Sequence, residues 1–189
     1  PSPLSARELA ARPPLVVAIG RLVPDKDFAG LLRAFAEVKT PGARLRILGE
    51  GPLRAELTAL RDQLGLAGRV ELPGFTSDIA GELGAARCFA LSSRNESFGL
   101  ACVEALAYSL PCVVTACGGP PEIIDKPALG AVVPVGDEAA LAQAIDAALG
   151  DAGDPAPRQA RARDFALDVA LDRYDALIAH VMSQARSPV

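Results

Sequence analysis

The 189-residue sequence is poor in aromatic residues, at 4% with no tryptophan, and it carries a single histidine, a single methionine and four cysteines. Many alanines accompany that scarcity, a composition that suits helices packed closely on a sheet. The lone histidine, His180, falls on a helical pattern near the C-terminus and is not read as catalytic. Cys88, Cys102, Cys112 and Cys117 form no Cys-x-x-Cys pair. They fall on strand, helix and loop positions, and are read as buried free thiols of a reducing cytoplasm rather than as metal ligands or disulfides. Positive charge is short as well: 19 Lys and Arg against 23 Asp and Glu leave a formal net charge of -4. No broad basic field therefore invites nucleic acid or an anionic membrane surface. No apolar run approaches the roughly 20 residues that cross a bilayer, and no stretch reads as a signal peptide. Internal repeats, sustained heptads and nucleic-acid motifs are missing too.

What remains is a chain half of whose residues are hydrophobic, long enough for one α/β domain with a sizeable core. Short apolar runs alternate with segments at helical spacing. Leu15–Ile19, Leu45–Leu48, Val70–Leu72, Cys88–Leu91, Cys112–Thr115 and Ala131–Val133 read as buried strands. Between them Phe28 to Val38, Pro52 to Leu64, Ile79 to Leu83, Leu100 to Tyr108, Glu122 to Ile124 and Glu138 to Leu149 read as helices. Residues 1–13, with three prolines before Pro14, read as a lead-in or linker, and the domain as 14–150. Residues 150–157 read as a polar breaker, followed by a final amphipathic helix marked by Phe165, Leu167, Leu171, Tyr174, Ile178 and Val181. That helix lies in a C-terminal extension of the same domain, 151–189. The alternation predicts an α/β, Rossmann-like, doubly wound and mostly parallel sheet of about six strands with helices on both faces.

The stretch from Arg94 to Glu122 holds the candidate chemistry. Gly99 opens a helix just beyond the carboxyl end of a strand, so unpaired N–H groups and the positive end of the dipole face the crevice above the sheet. Such a helix start is an anion site suited to phosphate. Glu96 and Glu104 flank it. A carboxylate repels phosphate, so these two are better placed to accept hydrogen bonds from neutral hydroxyls. A ligand carrying phosphate and sugar hydroxyls would satisfy every group. Gly118-Gly119 supplies a second loop for close approach to a ligand. Taken singly, each of these residues also fits an ordinary solvated loop, helix or turn position.

Parallel strands share a direction, so the turn after the first strand opens at the same edge. It carries Arg21, a planar fork for phosphate oxygens, and Lys26, a mobile point charge. The alternative for Arg21 and Lys26 is a solvated loop with an ion pair to Asp25 or Asp27. Gly49 and Gly51, in Gly49-Glu-Gly-Pro52, are close-approach positions or simply a tight helix entry.

Glu96-Ser-Phe-Gly-Leu100 followed by Glu104-Ala105, with seven residues between the glutamates, resembles the Glu-x7-Glu signature of retaining glycosyltransferases of the GT-B fold. Gly20-Arg21-Leu22 with Lys26 resembles the diphosphate-binding segment of the same family, and the resemblance runs through nearly the whole chain. It implies the C-terminal half of a two-domain enzyme, binding a UDP- or GDP-linked sugar without a metal or other cofactor. It assigns the diphosphate to Arg21, Lys26 and the amides of Phe98, Gly99 and Leu100, and counts Ser97 among the donor-binding residues. The transferred sugar falls to Glu96 and the ribose to Glu104, while Gly20, Gly49, Gly51, Gly74 and Phe75 line the nucleotide. Arg21, Lys26 and Glu96 are the implied catalytic set. The implied partners are the donor and an N-terminal acceptor domain, with the full-length protein cytoplasmic or peripheral at the inner face of a membrane. Alone, the chain is expected to bind donor weakly and transfer little sugar.

Three positions depart from the family pattern: Asp27 and Ser109 replace frequent glycines, and Ser92 stands where proline is common. Two other functions compete with the transferase: a non-catalytic nucleotide-sugar-binding module, and a sugar-nucleotide epimerase of similar fold.

Overall fold

The structure, a computed structural model, describes residues 5–150 and 153–185. Residues 1–4 of the lead-in, residues 151 and 152 of the breaker, and residues 186–189 lie outside the described residues. The elements in chain order are α1 (Ala6–Ala11), β1 (Leu15–Ile19), α2 (Phe28–Ala36), β2 (Arg44–Leu48), α3 (Arg54–Gln63), β3 (Val70–Gly74), α4 (Ile79–Ala85) and β4 (Cys88–Leu91). They continue with α5 (Leu100–Ala107), β5 (Cys112–Thr115), α6 (Pro120–Ile123), β6 (Gly130–Val133), α7 (Glu138–Gly150), α8 (Ala156–Arg163) and α9 (Leu167–Ala185).

The six strands form one sheet in the order β3-β2-β1-β4-β5-β6, with every pairing parallel. Winding runs outward in both directions from β1 and β4, and the crevice between them is the topological switch point of the expected doubly wound fold. The central strands are apolar on both faces because both are covered. Val16, Ala18, Leu45, Ile47, Cys88 and Ala90 pack against α2, α3 and α7. Val17, Leu48, Phe89, Leu91, Cys112 and Val114 pack on the other face with Leu9 of α1, Leu83 of α4, Leu106 of α5, Ile123 of α6 and Ala162 of α8. Pro73 sits in β3, an edge strand, where its missing N–H breaks no internal ladder. All four cysteines are buried thiols, as expected.

The structure corrects the reading of two segments. The expected lead-in contains α1, closed by a capping box between Ser5 and Glu8 and anchored by fully buried Leu9. Arg12 follows and donates from Nη1 to the Ala86 carbonyl at 2.9 Å. The sequence Ser5-Ala-Arg-Glu8 carries that capping signal. The expected breaker overlaps α8, whose buried face is Arg158, Gln159 and Ala162 rather than an apolar stripe. Arg158 donates to the carbonyls of Ala128 at 3.0 Å and Ser109 at 3.2 Å. Arg161 does the same for Ile123 at 3.1 Å and Glu122 at 2.5 Å. Such a helix docks by satisfying carbonyls, so hydrophobic periodicity cannot reveal it.

At the carboxyl edge of the sheet the loops pack backbone on backbone. Glu96 donates its N–H to Cys117 at 3.2 Å and accepts from Gly119 at 3.0 Å, a one-residue parallel bridge to Gly118. A Cβ on Gly118, at φ 84°, would stand 2.4 Å from the Glu96 carbonyl oxygen, and one on Gly49 would stand 2.0 Å from that of Gly20. The sequence reading gave Gly118-Gly119 the task of approaching a ligand. In the structure their bare backbone admits the Glu96 loop instead.

Two stability tests follow from the backbone. Helix α5 ends in a Schellman motif, with Ser109 N–H on Leu106 at 2.9 Å and Leu110 N–H on Ala105 at 3.1 Å. Ser109 therefore sits in the left-handed region, at φ 68°. Its buried hydroxyl has no hydrogen-bond partner among the described residues. Left-handed strain costs about 1–2 kcal/mol and an orphaned buried hydroxyl about 1–3 kcal/mol, against roughly 0.5–1 kcal/mol of extra chain entropy for glycine. Ser109→Gly is expected to raise stability by about 1–2 kcal/mol, measured as a higher urea midpoint at unchanged slope. Gly118→Ala is expected to lower it by about 2 kcal/mol or more, from strain and the collision with Glu96 together.

Candidate functional site

Two loops meet at the switch point. Strand β1 leads through Gly20 and Arg21 to a 3-10 turn, Pro24–Lys26, and then α2. Strand β4 leads through Ser92 to Ser97 and then to Gly99, the N-cap of α5. Lys26 Nζ pairs with Glu96 Oε2 across the gap, with both side chains largely buried. The alternative pairing of Lys26 with Asp25 or Asp27 does not form. Asp27 caps α2 through Gly30 N–H at 3.1 Å and accepts from Arg94 Nε at 3.0 Å. Gly20 makes room for the lysine stem, since a Cβ there would stand 3.3 Å from Lys26 Cδ.

Two further charges stand ready. Arg21 is exposed, and its guanidinium has no hydrogen-bond or ion-pair partner among the described residues. Glu104, one turn into α5, is likewise exposed and unpaired among them. The amides of Phe98, Gly99 and Leu100 have no acceptor among the described residues, and Gly99 takes φ 99°, so the α5 dipole opens into the crevice. Beneath it the Cys102 thiol is pushed up to about 12, by burial first and the Glu96 carboxylate second. It stays protonated at neutral pH and adds no negative charge.

A cavity of about 430 Å³ lies beside Arg21, lined by Ile19, Gly20, Leu48, Gly49, Phe75 and Ile79 among others. Phe75 is 79% exposed, a free ring face at its mouth. The sequence-predicted residues thus divide. Gly20, Arg21, Gly49 and Phe75 line this cavity, while Lys26, Glu96, Ser97, Phe98, Gly99, Leu100 and Glu104 belong to the switch-point loop and α5. Gly51 and Gly74 do not line the cavity. Gly51 abuts the Leu22 carbonyl and Gly74 the Glu50 side chain. Leu100 is 68% exposed and offers its amide rather than its side chain.

Sequence reasoning missed the supports. Phe98 meets the Phe165 ring edge-on at 5.6 Å. A second cavity, of about 450 Å³, opens between these rings and α9, with Asp164, Arg173, Tyr174 and Leu177 on its walls. Thr115 donates to Ser93 at 2.6 Å, and Arg94 N–H to Asp25 at 2.7 Å. These contacts join segments far apart in sequence, and no local pattern marks them.

The site can hold an anion and hydroxyls together. Cations on the β1 loop stand across the crevice from the carboxylates and free amides of the β4 loop and α5, and an apolar cavity lined by Phe75 adjoins. Comparison with known proteins agrees with that chemistry. The family model described as Glycosyl transferases group 1 matches residues 5–165. A lipopolysaccharide core biosynthesis glycosyltransferase, LpsD of Rhizobium meliloti, is 36% identical over 131 residues, covering 69% of this chain and 38% of that protein. An exopolysaccharide phosphotransferase of Streptomyces coelicolor is 35% identical over 181 residues, 92% of this chain but 19% of its own length. The chain thus spans well under half of these relatives. Among solved structures, Anabaena HepE in complex with UDP superposes with a TM-score of 0.79 at 27% identity, covering 94% of this chain and 50% of that one. A Rickettsia africae glycosyltransferase shares the fold, with a TM-score of 0.81 at 20% identity over 95% of this chain and 53% of its own. By residues 5–165 and the strand order they build, the chain belongs to the group 1 glycosyl transferases, as one half of a GT-B fold.

Proposed function

We propose that this chain is the donor-binding domain of a retaining glycosyltransferase that moves a hexosyl group from a nucleoside-diphosphate sugar to an acceptor hydroxyl. The observation that carries the reading is the Lys26–Glu96 pair at the switch point, with the free amides of α5 after Glu96, Glu104 one turn into that helix and Arg21 on the loop that carries Lys26. Breaking the anomeric bond leaves negative charge on the departing diphosphate, and preorganised cations and amides stabilise it as it develops. Arg21 and Lys26 supply the cations, so the reading calls on no divalent ion. Glu96 accepts from hydroxyls of the transferred sugar and Glu104 from the ribose.

The Lys26–Glu96 pair adds a step to this account. Without donor, each group neutralises the other, so a half-buried lysine and carboxylate do not stand uncompensated. An arriving diphosphate draws on Lys26 and leaves Glu96 acceptors for hydroxyls. A bare phosphate would lack those hydroxyls, which favours a donor carrying sugar.

The base sits in the cavity beside Arg21, and UDP is the first candidate because HepE was solved with it. The acceptor site belongs to a further, N-terminal domain. Two observations support this: the greater length of the relatives, and the side of α9 that carries Leu171, Tyr174, Ile178 and Val181, all exposed by more than half. Relatives named for lipopolysaccharide core, colanic acid and undecaprenol-linked glycan synthesis point to cell-surface polysaccharide or glycolipid acceptors. Assembly of this kind takes place in the cytoplasm or at the inner face of a membrane. No helix among the described residues is long and apolar enough to cross one.

Calorimetric titration with UDP, GDP and ADP tests the assignment. One diphosphate is expected to bind, about tenfold more weakly in Arg21→Ala, with loss of a single charge-assisted contact. Lys26→Ala is expected to lose more, because it removes a cation and leaves Glu96 uncompensated beside the phosphates. Glu104→Ala is expected to weaken nucleotide binding but not pyrophosphate binding. Equal affinity of all variants for every nucleotide, in folded samples, would sink the reading. Joined to its acceptor domain, the protein is expected to transfer sugar; binding without transfer or epimer formation would identify the inert module.

A further inference from the structure

We infer that Arg94 is a positioning residue, the centre of a clasp across the switch point that holds Lys26 and Glu96 at working separation; its functional consequence rests on the donor-binding reading above.

The sheet itself does not set that separation. Strands β1 and β4 are in register only at Val16 with Cys88 and Val17 with Phe89. Ile19 and Leu91, the last residues of the two strands, continue beyond those pairs, and the loops leave the sheet where its own ladder has lapsed. Their helices then go to opposite faces, α2 with one core cluster and α5 with the other. Divergence of this kind opens the crevice, and it also leaves two long charged side chains on loops with no common strand support.

Three bonds besides the Lys26–Glu96 pair bridge the gap. Arg94 N–H donates to the Asp25 carbonyl at 2.7 Å. Its Nε donates to Asp27 Oδ2 at 3.0 Å, and Ser92 Oγ donates to the Lys26 carbonyl at 2.9 Å. They seize the backbone on both sides of Lys26 from residues just ahead of Glu96. Asp27 is the receiving post. It is a non-glycine residue at φ 43°, its side chain is only 10% exposed, and its other oxygen caps α2. A left-handed aspartate persists only where its surroundings over-determine it. Here the cap and the Arg94 pair do so, and that strained residue adjoins Lys26 directly. Two of the three departures from the family pattern, Asp27 and Ser92, are therefore both members of the clasp. A glycine and a proline in their places could make neither side-chain bond.

Bonds from the other flank hold the Glu96 loop alone: Thr115 to Ser93, and the Glu96 bridge to Gly118. Breaking the clasp should therefore leave the Glu96 loop tethered on one side and free the Lys26 turn.

The test uses this chain with Arg94→Ala, Asp27→Asn and both together, checked for retained folding by their unfolding midpoints. Hydrogen exchange without ligand is read first. Amides of Lys26 and Asp27 are expected to exchange roughly tenfold faster in Arg94→Ala, with the Gly118–Gly119 segment unchanged. The variant keeps the backbone bond to Asp25 and the Ser92 bond, so unchanged exchange at Lys26 and Asp27 would overturn the positioning role of the Arg94 side chain, whether or not a donor binds. Nucleoside diphosphate affinity is read second, on the nucleotide the wild type binds. Arg94→Ala is expected to weaken it about fivefold, and the double variant to be no weaker than the worse single one. In a Lys26→Ala background the Arg94→Ala effect should vanish; an undiminished loss there would show Arg94 acting on the ligand directly and overturn the positioning role. A wild type that binds no diphosphate would defeat the donor reading while leaving the exchange result to judge the clasp.

Discussion

The geometry of this domain depends on the parting of two neighbouring parallel strands, β1 and β4, whose crossovers must cover opposite faces of one sheet. Right-handed connections allow no other outcome for strands wound outward in both directions. The parting creates a crevice at the carboxyl edge, aims the α5 N-terminus at it and brings Lys26 opposite Glu96. Lys26, Glu96 and the start of α5 stand on this parting, and Gly49 and Gly51 pack against the β1 loop that borders it.

A crevice made in this way collects charge of both signs in a half-buried place, and the electrostatics follow. Lys26 and Glu96 meet because each would be costly alone. Arg21 and Glu104 stay exposed and unpaired among the described residues, where water screens them at little cost. The free amides of α5 and the neutral Cys102 thiol keep the floor of the crevice receptive to an anion. The arrangement is that of a site kept electrically balanced by its own side chains, in which ligand groups can take the place of one partner or the other.

The glycines show how packing and chemistry share positions. Gly49 and Gly118 were legible as close-approach residues, but what approaches them is protein: the Gly20 carbonyl in one case and Glu96 in the other. Loops built this tightly join the cavity beside Arg21, the Lys26 turn and the Glu96 loop into one connected edge. Ser109 shows the opposite case. A left-handed helix terminus tolerates a serine there, with its hydroxyl buried and no hydrogen-bond partner for it among the described residues, because the backbone bonds of the Schellman motif are made regardless of the side chain.

By itself the sequence determined the alternation of strands and helices, the doubly wound sheet, the α5 start at Gly99 and the places of Arg21, Lys26 and Glu96 on loops beyond strand ends and of Glu104 in the first turns of α5. These are local quantities: apolar runs, helical spacing, capping residues and charges set against strand ends. Helix α1 was legible in the same terms, through Ser5 and Glu8. Tertiary structure alone decided that Lys26 pairs with Glu96 and not with Asp25 or Asp27, that α8 docks through Arg158 and Arg161, and that Phe98 meets Phe165. Each of those contacts joins groups whose separation in space bears no relation to their separation along the chain. A hydrogen bond or ion pair forms where the folded backbone delivers its partner, and periodicity records burial but not that delivery.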